Sequence, residues 1–252
     1  MAIQSKNLTV EGGLQKHLRC KAEDIGRYVL LPGDPFRTDI IAQYLENPRL
    51  VAHAREHKTW TGTLNGVPVT VCSTGMGAAS TAIAVEELIH CGVDAIIRVG
   101  TCGRVCEESQ NPEYEGLIVT AAVRDEGTTL QYVPVEYPAV ADRSVMNAMC
   151  DAAEKFGYTF AEGIVQCKDS FYGQHDPDSM PNSDYLLSRW KAWEKGNVMG
   201  SEMEASALFV ISSIRGIRAG AIMGYDYEQG LRHSMDIAIE ALKTLIEKDN
   251  AK

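Results

Sequence analysis

The stretch from residue 67 to residue 99 constrains the fold more than any other part of the chain. An apolar run typical of a strand covers residues 67–73, apolar residues at helical spacing predict a helix over 78–90, and a second apolar strand is predicted at 95–99. The Cys91-Gly92 pair ends the helix. A strand, helix, strand unit of this length implies parallel pairing and a right-handed crossover.

The same alternation continues on both sides of this unit. Asn65-Gly66, a strong two-residue turn signal, predicts a hairpin between strands at 60–64 and 67–73. Residues 1–26 are polar and predicted to be irregular, and 168–183 is predicted to be a polar loop. Further strands are predicted from Tyr28 and at 117–123, 160–167 and 219–223, and further helices at 37–45, 144–156, 185–195, 204–215 and 233–248.

One domain accounts for this pattern. The chain has 252 residues, 45% of them hydrophobic and 23% charged, which is enough for one sizeable core, and it contains no repeat, linker or low-complexity segment. The predicted fold class is therefore α/β. We expect a single domain over residues 1–252, with a central mixed sheet flanked by helices on both faces.

The charge balance and the cysteines exclude several classes of function. A formal net charge of -10 argues against nucleic acid or an anionic membrane as a partner, because either would favour a basic face. No apolar run approaches the roughly 20 residues that span a bilayer, and we expect a cytoplasmic protein. Seven scattered cysteines suit buried thiols in a reducing compartment.

Metal-dependent and covalent hydrolysis are also disfavoured. Cys102 and Cys106 form a C-x₃-C pair, but no second pair completes a zinc site, so no metal is predicted. The nucleophile elbow of serine hydrolases, the H-E-x-x-H motif and the P-loop are all absent from the sequence.

Four strand-like runs end in polar and small residues and are predicted to form one site, since ligands bind at the carboxyl ends of strands in such sheets. The runs are 28–37, 69–77, 96–104 and 199–205. Arg98 closes an apolar strand and must reach water, an anion or a buried salt bridge. Gly33 and Arg37 flank a helix start that suits an anion, although a turn that only caps the helix explains the same pattern.

Two further segments have side chains suited to binding a sugar and a base. Glu202 and Glu204 flank Met203, so two carboxylates are placed to hold vicinal hydroxyls while the thioether packs on a sugar face. Acidic residues in a first helical turn are the equally weighted alternative. Phe171 and Gln174 are suited to stacking on a base and hydrogen bonding to its edge, although an ordinary polar loop has the same composition.

Taken together, these segments resemble the uridine phosphorylases of the nucleoside phosphorylase superfamily. The resemblance covers the chain from about His17 to Gly220 and rests on six motifs that occur in order. They are Pro32-Gly33-Asp34-Pro35-x-Arg37, Arg55-Glu56-x-x-Thr59-Trp60, Cys72-Ser73-Thr74-Gly75-Met76-Gly77, Arg98-Val99-Gly100-Thr101-x-Gly103, Phe171-Tyr172-Gly173-Gln174 and Glu202-Met203-Glu204.

The resemblance implies phosphorolysis of a pyrimidine nucleoside, with uridine and inorganic phosphate as substrates and no cofactor. It implies that Arg37, Arg98 and Glu204 carry the catalysis, and that a homodimer or a hexamer of dimers shares its sites. The implied phosphate ligands are Gly33, Arg37, Arg98 and Thr101, with Arg55 from a neighbouring subunit. The implied ribose ligands are Glu202, Met203 and Glu204, with His17 from a neighbour, and Phe171 and Gln174 form the implied base pocket.

Two departures from the family pattern leave the base open. Asp176 stands where the base loop of the family usually has an arginine, and the hypothesis here is that His175 donates to a carbonyl of the base instead. The segment after Gly220 is short for a flap that carries a second arginine. A purine nucleoside phosphorylase with Asp226 as acid, a hydrolytic nucleosidase and a catalytically silent nucleoside-binding protein therefore remain alternatives. A monovalent cation near Glu56 and Ser80 is also left open.

Overall fold

One eleven-stranded mixed sheet organises the computed structural model of the chain, which describes residues 3–251. Its strands are β1 (Tyr28–Pro32), β2 (Glu46–Ala54), β3 (His57–Leu64), β4 (Val67–Cys72), β5 (Ala95–Thr101), β6 (Gly103–Arg104), β7 (Gly116–Asp125), β8 (Ala139–Val140), β9 (Phe160–Lys168), β10 (Val198–Glu202) and β11 (Arg218–Gly224). The strand order is β2-β3-β4-β1-β5-β11-β7-β9-β10-β6, and β8 pairs with β7.

Parallel strands occupy the centre of the sheet. β5 lies between β1 and β11 and is parallel to both, and β1 is also parallel to β4. The register places Thr101 opposite Gly224, so the carboxyl ends of β5 and β11 lie side by side. The crossover from β4 to β5 is the strand, helix, strand unit that the sequence predicts.

Helices cover both faces of the sheet. They are α1 (Pro35–Ala42), α2 (Ala78–His90), α3 (Arg143–Phe156), α4 (Phe171–His175), α5 (Ser183–Lys195), α6 (Ala205–Arg215) and α7 (Gln229–Asn250). Helices α2 and α6 pack in one hydrophobic cluster, and α3 and α7 pack in a second cluster on the opposite face. The predicted fold class, a single α/β unit with a mixed sheet between helices, is confirmed.

Local sequence signals located several elements accurately. Helix α2 has the predicted bounds, and the hairpin of β3 and β4 turns at Asn65 and Gly66, both with positive φ (51° and 75°). Glycine has no Cβ to clash in this conformation, and asparagine tolerates it better than most residues do. Within residues 3–251, no helix is both long and apolar enough to cross a membrane.

The structure differs most from the prediction at two elements, and it also contains the two-residue strands β6 and β8, which were not predicted. Strand β2 was not predicted, because it is an edge strand whose residues are mostly exposed, so it lacks an apolar run. The loop predicted at 168–183 contains the short helix α4, which Ser170 begins by accepting a hydrogen bond from the backbone N–H of Gly173. Such a short helix carries too little periodicity to be recognised in a sequence.

Gly116 provides a test of how closely the sheet packs. A Cβ at this position would lie 2.3 Å from the carbonyl oxygen of Met223 and 2.3 Å from the Phe160 ring. We therefore expect Gly116→Ala to lower the free energy of unfolding by about 1–3 kcal/mol. Urea unfolding would measure the loss. Gly103→Ala is the control, because its added methyl would meet no atom within 4 Å, and equal losses in both variants would contradict the prediction.

Candidate active site

Arg98 lies near the carboxyl end of β5 and forms a buried ion pair with two carboxylates. It has the same strand parity as Ile96, whose side chain packs in the cluster of α2 and α6, so Arg98 points toward that face. Its Nε donates to Glu202 Oε2 (3.1 Å) and its Nη2 donates to Glu204. Burial acts to lower the pKa of Arg98, but the charges of Glu204 and Glu202 outweigh it and raise the pKa. The guanidinium is therefore ionised.

The third nitrogen of Arg98 has no hydrogen-bond partner among residues 3–251. Nη1 is buried, and a Cβ built on Gly33 would lie 3.9 Å from it. A buried donor without a partner costs about 1–3 kcal/mol, more when it is charged. The buried salt bridge is therefore present, one nitrogen beside Gly33 has no hydrogen-bond partner among the described residues, and anion binding by Arg98 stays a prediction.

Arg37 brings a second guanidinium to the same place. It lies in the first turn of α1, and its Nη1 donates to the carbonyl oxygen of Val99 (3.4 Å). Burial lowers the pKa of Arg37, and the neighbouring positive charge of Arg98 lowers it further. Like charges this close repel each other, so a bound oxyanion would stabilise both groups. At the start of α1, Asp34 caps the helix by accepting from Phe36 N (2.8 Å), so the capping interpretation holds for that residue.

Glu202 holds the start of α6 in place. It is 4% exposed and accepts hydrogen bonds from the backbone N–H of Glu204 (2.8 Å) and of Ala205 (3.0 Å) as well as from Arg98. Because the first N–H groups of a helix have no intrahelical partner, this carboxylate acts as the cap of α6. Its contacts match the helix-start interpretation of the acidic pair.

Glu204 links three segments that are far apart in the sequence. Its Oε1 accepts from the backbone N–H of Gly77 (2.5 Å), just before α2, while Oε2 accepts from Arg98. Burial raises the pKa of Glu204, although the charge of Arg98 opposes the change. Met203, partly exposed, lies between the two carboxylates in the chain. Glu204 and Met203 directly follow β10, where Glu204 contacts Arg98, and the two residues are called the wall of the proposed site below.

Ser201 connects three polar side chains next to this wall. Gln166 and Gln174 each have Oε1 at 2.7 Å from Ser201 Oγ, and Lys168 Nζ donates to the same oxygen (2.8 Å). A hydroxyl carries one proton, so Ser201 donates to one glutamine at a time. A cavity of about 260 Å³ adjoins Gln174 and Lys168 and is lined on one side by α5.

Sequence reasoning missed Lys168. The side chain is 6% exposed, and burial lowers its pKa. A lysine at the end of an apolar strand is the same signal that drew attention to Arg98, and it was present in the sequence at the end of β9. The structure places this buried ammonium next to Gln174, in the region where the base loop has Asp176 in place of an arginine.

Phe171 and His175 lie on α4 above this polar group. Their ring centroids are 4.2 Å apart, and the Phe171 side chain is half exposed. Burial lowers the pKa of His175, and the positive charge of Lys168 adds to the effect. An exposed aromatic face beside polar side chains suits a planar heterocycle.

Three predicted residues make no hydrogen bond within this group of side chains. His17 is bound to Glu87 on α2, and Arg55 is exposed at the turn between β2 and β3 with a positive φ of 55°. Thr101 lies at the site edge, at the end of β5. His17 and Arg55 are the two residues that the resemblance assigns to a neighbouring subunit.

The cysteines form no metal centre. All seven, each within the described residues, are free thiols, and no group of three or more His, Cys, Asp or Glu residues within 3–251 is arranged to hold a metal ion. Cys106 instead contacts the sulfur of Met199 at 3.5 Å.

Comparison with known proteins agrees with this geometry. Residues 27–247 match the phosphorylase superfamily. The chain belongs to this superfamily. A uridine phosphorylase of Treponema pallidum (strain Nichols) is 46% identical over 255 residues, covering 94% of this chain and 96% of that protein. A uridine phosphorylase of Thermococcus kodakarensis is 40% identical over 263 residues, with 99% and 93% covered.

Two further relatives widen the comparison within the superfamily. A guanosine phosphorylase of Halorubrum lacusprofundi is 36% identical over 212 residues, covering 84% of this chain and 83% of that protein. The crystal structure of uridine phosphorylase from Vibrio fischeri ES114 superposes with a TM-score of 0.82 at 30% identity, covering 94% of this chain and 100% of that one.

The neighbouring guanidinium groups of Arg37 and Arg98 lead us to expect that the protein binds an oxyanion. Inorganic phosphate should raise the thermal midpoint of the wild-type protein, because free ligand at about 100 times its Kd adds about 2.7 kcal/mol to stability. Arg37→Met should lose most of this shift. Arg49→Met is the control, because Arg49 pairs at the surface with Asp24. A thermal titration in which phosphate stabilises Arg37→Met as much as the wild type would overturn the assignment.

Proposed function

We propose that the protein is a uridine phosphorylase, a pentosyltransferase that converts uridine and inorganic phosphate into uracil and ribose 1-phosphate in nucleoside salvage. The observation that carries the proposal is the unpartnered Nη1 of Arg98, buried beside Gly33 and Arg37 and next to the wall of Met203 and Glu204. The whole chain, residues 1–252, would act as one phosphorylase domain. No cofactor enters the reaction, and a cytoplasmic location fits its substrates.

Phosphate would bind between Arg37 and Arg98, with Gly33 and Thr101 at its sides. Cleavage of the glycosidic bond leaves positive charge on the sugar and negative charge on the base. A phosphate held beneath the sugar stabilises the first charge and attacks the same carbon, so positioning and electrostatics supply the catalysis. The pair of arginines would offset the charge of the phosphate, and Arg98 is buried.

The ribose would lie on Met203, with Glu204 accepting from its 2′-hydroxyl. Glu204 also contacts Arg98 and the N–H of Gly77, so it would orient sugar and phosphate together. Glu202, also assigned to the ribose, keeps contacts with the start of α6 and with Arg98 that favour a supporting role for it.

The uracil would stack on Phe171 and hydrogen bond to Gln174. Lys168 and His175 supply donors in a base loop that lacks the usual arginine, and the positive charge of Lys168 would stabilise the departing base. The hydrogen bonds around Ser201 favour this arrangement, because Gln174 can leave Ser201 for the base while Ser201 donates to Gln166.

The site would be completed by a second copy of the chain. Arg55, exposed at a turn, would reach the phosphate of a neighbour, and His17 would reach its ribose. A homodimer is the smallest assembly that supplies both residues, and a hexamer built from such dimers fits the superfamily resemblance.

A purine nucleoside is the second candidate substrate, favoured by the resemblance to a guanosine phosphorylase. Asp226 is the acid that such a reaction would use. Its Oδ1 accepts from the backbone N–H of Glu228 (2.8 Å) and of Gly230 (2.9 Å), so it is engaged in starting α7. The geometry therefore favours the pyrimidine.

One assay tests the proposal. Uracil release from uridine should require phosphate, and inosine in parallel should be a poor substrate. Arg98→Gln should lower kcat/KM by about 10²–10³, the usual cost of removing one electrostatic contact from a transition state. Arg49→Gln is the matched control on the surface. Release without phosphate would indicate a hydrolase, and binding without turnover would indicate a silent nucleoside-binding protein.

The buried Lys168 leads us to expect a fall in kcat/KM on the alkaline side of the pH profile. Only the protonated amine stabilises the departing base, and burial lowers the pKa of Lys168 below its usual value. Uridine kcat/KM should therefore fall as the pH rises through this lowered pKa. Lys168→Arg keeps its charge, so its activity should fall less at alkaline pH, whereas substrate ionisation affects both proteins equally. Lys191→Met, at an exposed position on α5, is the control. Identical limbs in wild type and Lys168→Arg would exclude the role.

A further inference from the structure

Glu87 lies on α2, and the hydrogen bonds that its carboxylate accepts all come from one short segment of the chain. Its side chain is 9% exposed. Both of its oxygens accept from the backbone N–H of His17 (3.0 Å each), Oε2 accepts from Leu18 N (2.8 Å), and Oε1 lies 2.6 Å from His17 Nδ1. Because a buried carboxylate must be hydrogen-bonded, these contacts fix the segment against α2.

The segment itself is a closed turn. Gln15 N donates to the carbonyl oxygen of Cys20 (2.8 Å), and Arg19 N donates back to Gln15 O (3.1 Å). Leu18 and Cys20 are fully buried on the sheet side of the turn. His17 is therefore presented by a fixed piece of backbone, although the first 26 residues look irregular in the sequence.

Glu87 also sets the chemistry of the His17 ring. An ionised carboxylate only accepts hydrogen bonds, so in the neutral tautomer that this contact selects the ring proton lies on Nδ1 and the lone pair lies on Nε2. The His17 side chain is one third exposed, and Nε2 has no hydrogen bond to any residue in 3–251. The ring therefore offers an acceptor at the surface.

This acceptor is remote from the site of its own chain. Gly77, immediately before α2, binds Glu204, whereas Glu87 lies nine residues beyond Ala78, about 14 Å further along the helix. His17 is bound at that far position. The contact with ribose proposed for His17 would therefore be made on another copy of the chain.

We propose that Glu87 is a positioning residue for the neighbouring site. It fixes His17 as the Nδ1–H tautomer, so that Nε2 accepts the proton of the ribose 5′-hydroxyl bound to the adjacent subunit. The inference rests on the proposed function and extends it to a residue that never touches substrate.

The effect of the ribose 5′-hydroxyl on kcat/KM tests this proposal. In the wild type, kcat/KM should be about tenfold higher for uridine than for 5′-deoxyuridine, which corresponds to one hydrogen bond of about 1.4 kcal/mol. 5′-Fluoro-5′-deoxyuridine, whose fluorine cannot donate, should behave like the 5′-deoxy compound. Fluoro and hydroxyl substrates of equal kcat/KM would overturn the tautomer assignment.

Variants separate positioning from folding. Glu87→Gln replaces one acceptor oxygen with an NH₂ donor, so it cannot accept from every N–H of the turn, and the uridine preference should fall to about one- to threefold. His17→Ala should give the same ratio, and the double variant should lose nothing further, since residues that act through one contact are not additive. Glu86→Gln is the control, because Glu86, next along α2, pairs with Arg215 and leaves His17 untouched.

Each possible result either supports or contradicts the role of Glu87. A tenfold preference that survives in Glu87→Gln, or equal losses on both substrates, would overturn the assignment while the proposed function stands. A wild type that releases no uracil from uridine would overturn both. If Glu87→Gln does not fold, Glu87→Asp serves instead, because it keeps the charge but withdraws the carboxylate from His17 Nδ1, and the same fall in preference is expected.

Discussion

The ion cluster of Arg98 with Glu202 and Glu204 is the interaction on which the rest of the site depends. One guanidinium at the end of β5 joins the end of β10, the start of α6 and, through Glu204, the residue before α2. Removing one member of a buried pair costs about 3–5 kcal/mol, because its partner is left charged and unpaired. The groups proposed to position the substrate are therefore the groups that hold these segments together.

The same cluster explains how a chain with a net charge of -10 offers a place to an anion. Most of the acidic excess is at the surface, where water screens it, whereas Arg98 is 3% exposed and Arg37 is partly buried beside it. The two carboxylates beside Arg98 are themselves stabilised by hydrogen bonds from backbone N–H groups at helix starts. Local geometry thus decides the sign of the field. Burial lowers the pKa of Arg37 and the repulsion from Arg98 lowers it further, so a bound oxyanion would stabilise both arginines.

Local patterns were sufficient to predict the parts of the fold that depend on local interactions. Helix α2, the turn at Asn65 and the strand that ends with Arg98 all follow from spacing and turn chemistry. The remaining features depend on distant residues. Strand β2 is defined by its pairing with β3, and the burial of Lys168 depends on Ser201 and α5. Glu202 had two equal interpretations in the sequence, and only the position of α6 relative to Arg98 shows that it caps a helix.

The phosphate side and the base side of the site differ in how firmly they are held. Arg98 and Glu204 are each bound to groups from other strands and helices, so moving either one breaks a buried ion pair. Among residues 3–251, the Gln174 side chain hydrogen bonds only to the Ser201 hydroxyl, which has one proton and a second acceptor, Gln166, at the same distance of 2.7 Å. Releasing Gln174 toward a base therefore costs little, because Ser201 can donate to Gln166 instead. The proposed anion site is therefore rigid and the proposed base site is adaptable. Such an arrangement would allow related proteins of one fold, one named a uridine phosphorylase and another a guanosine phosphorylase, to accept different bases.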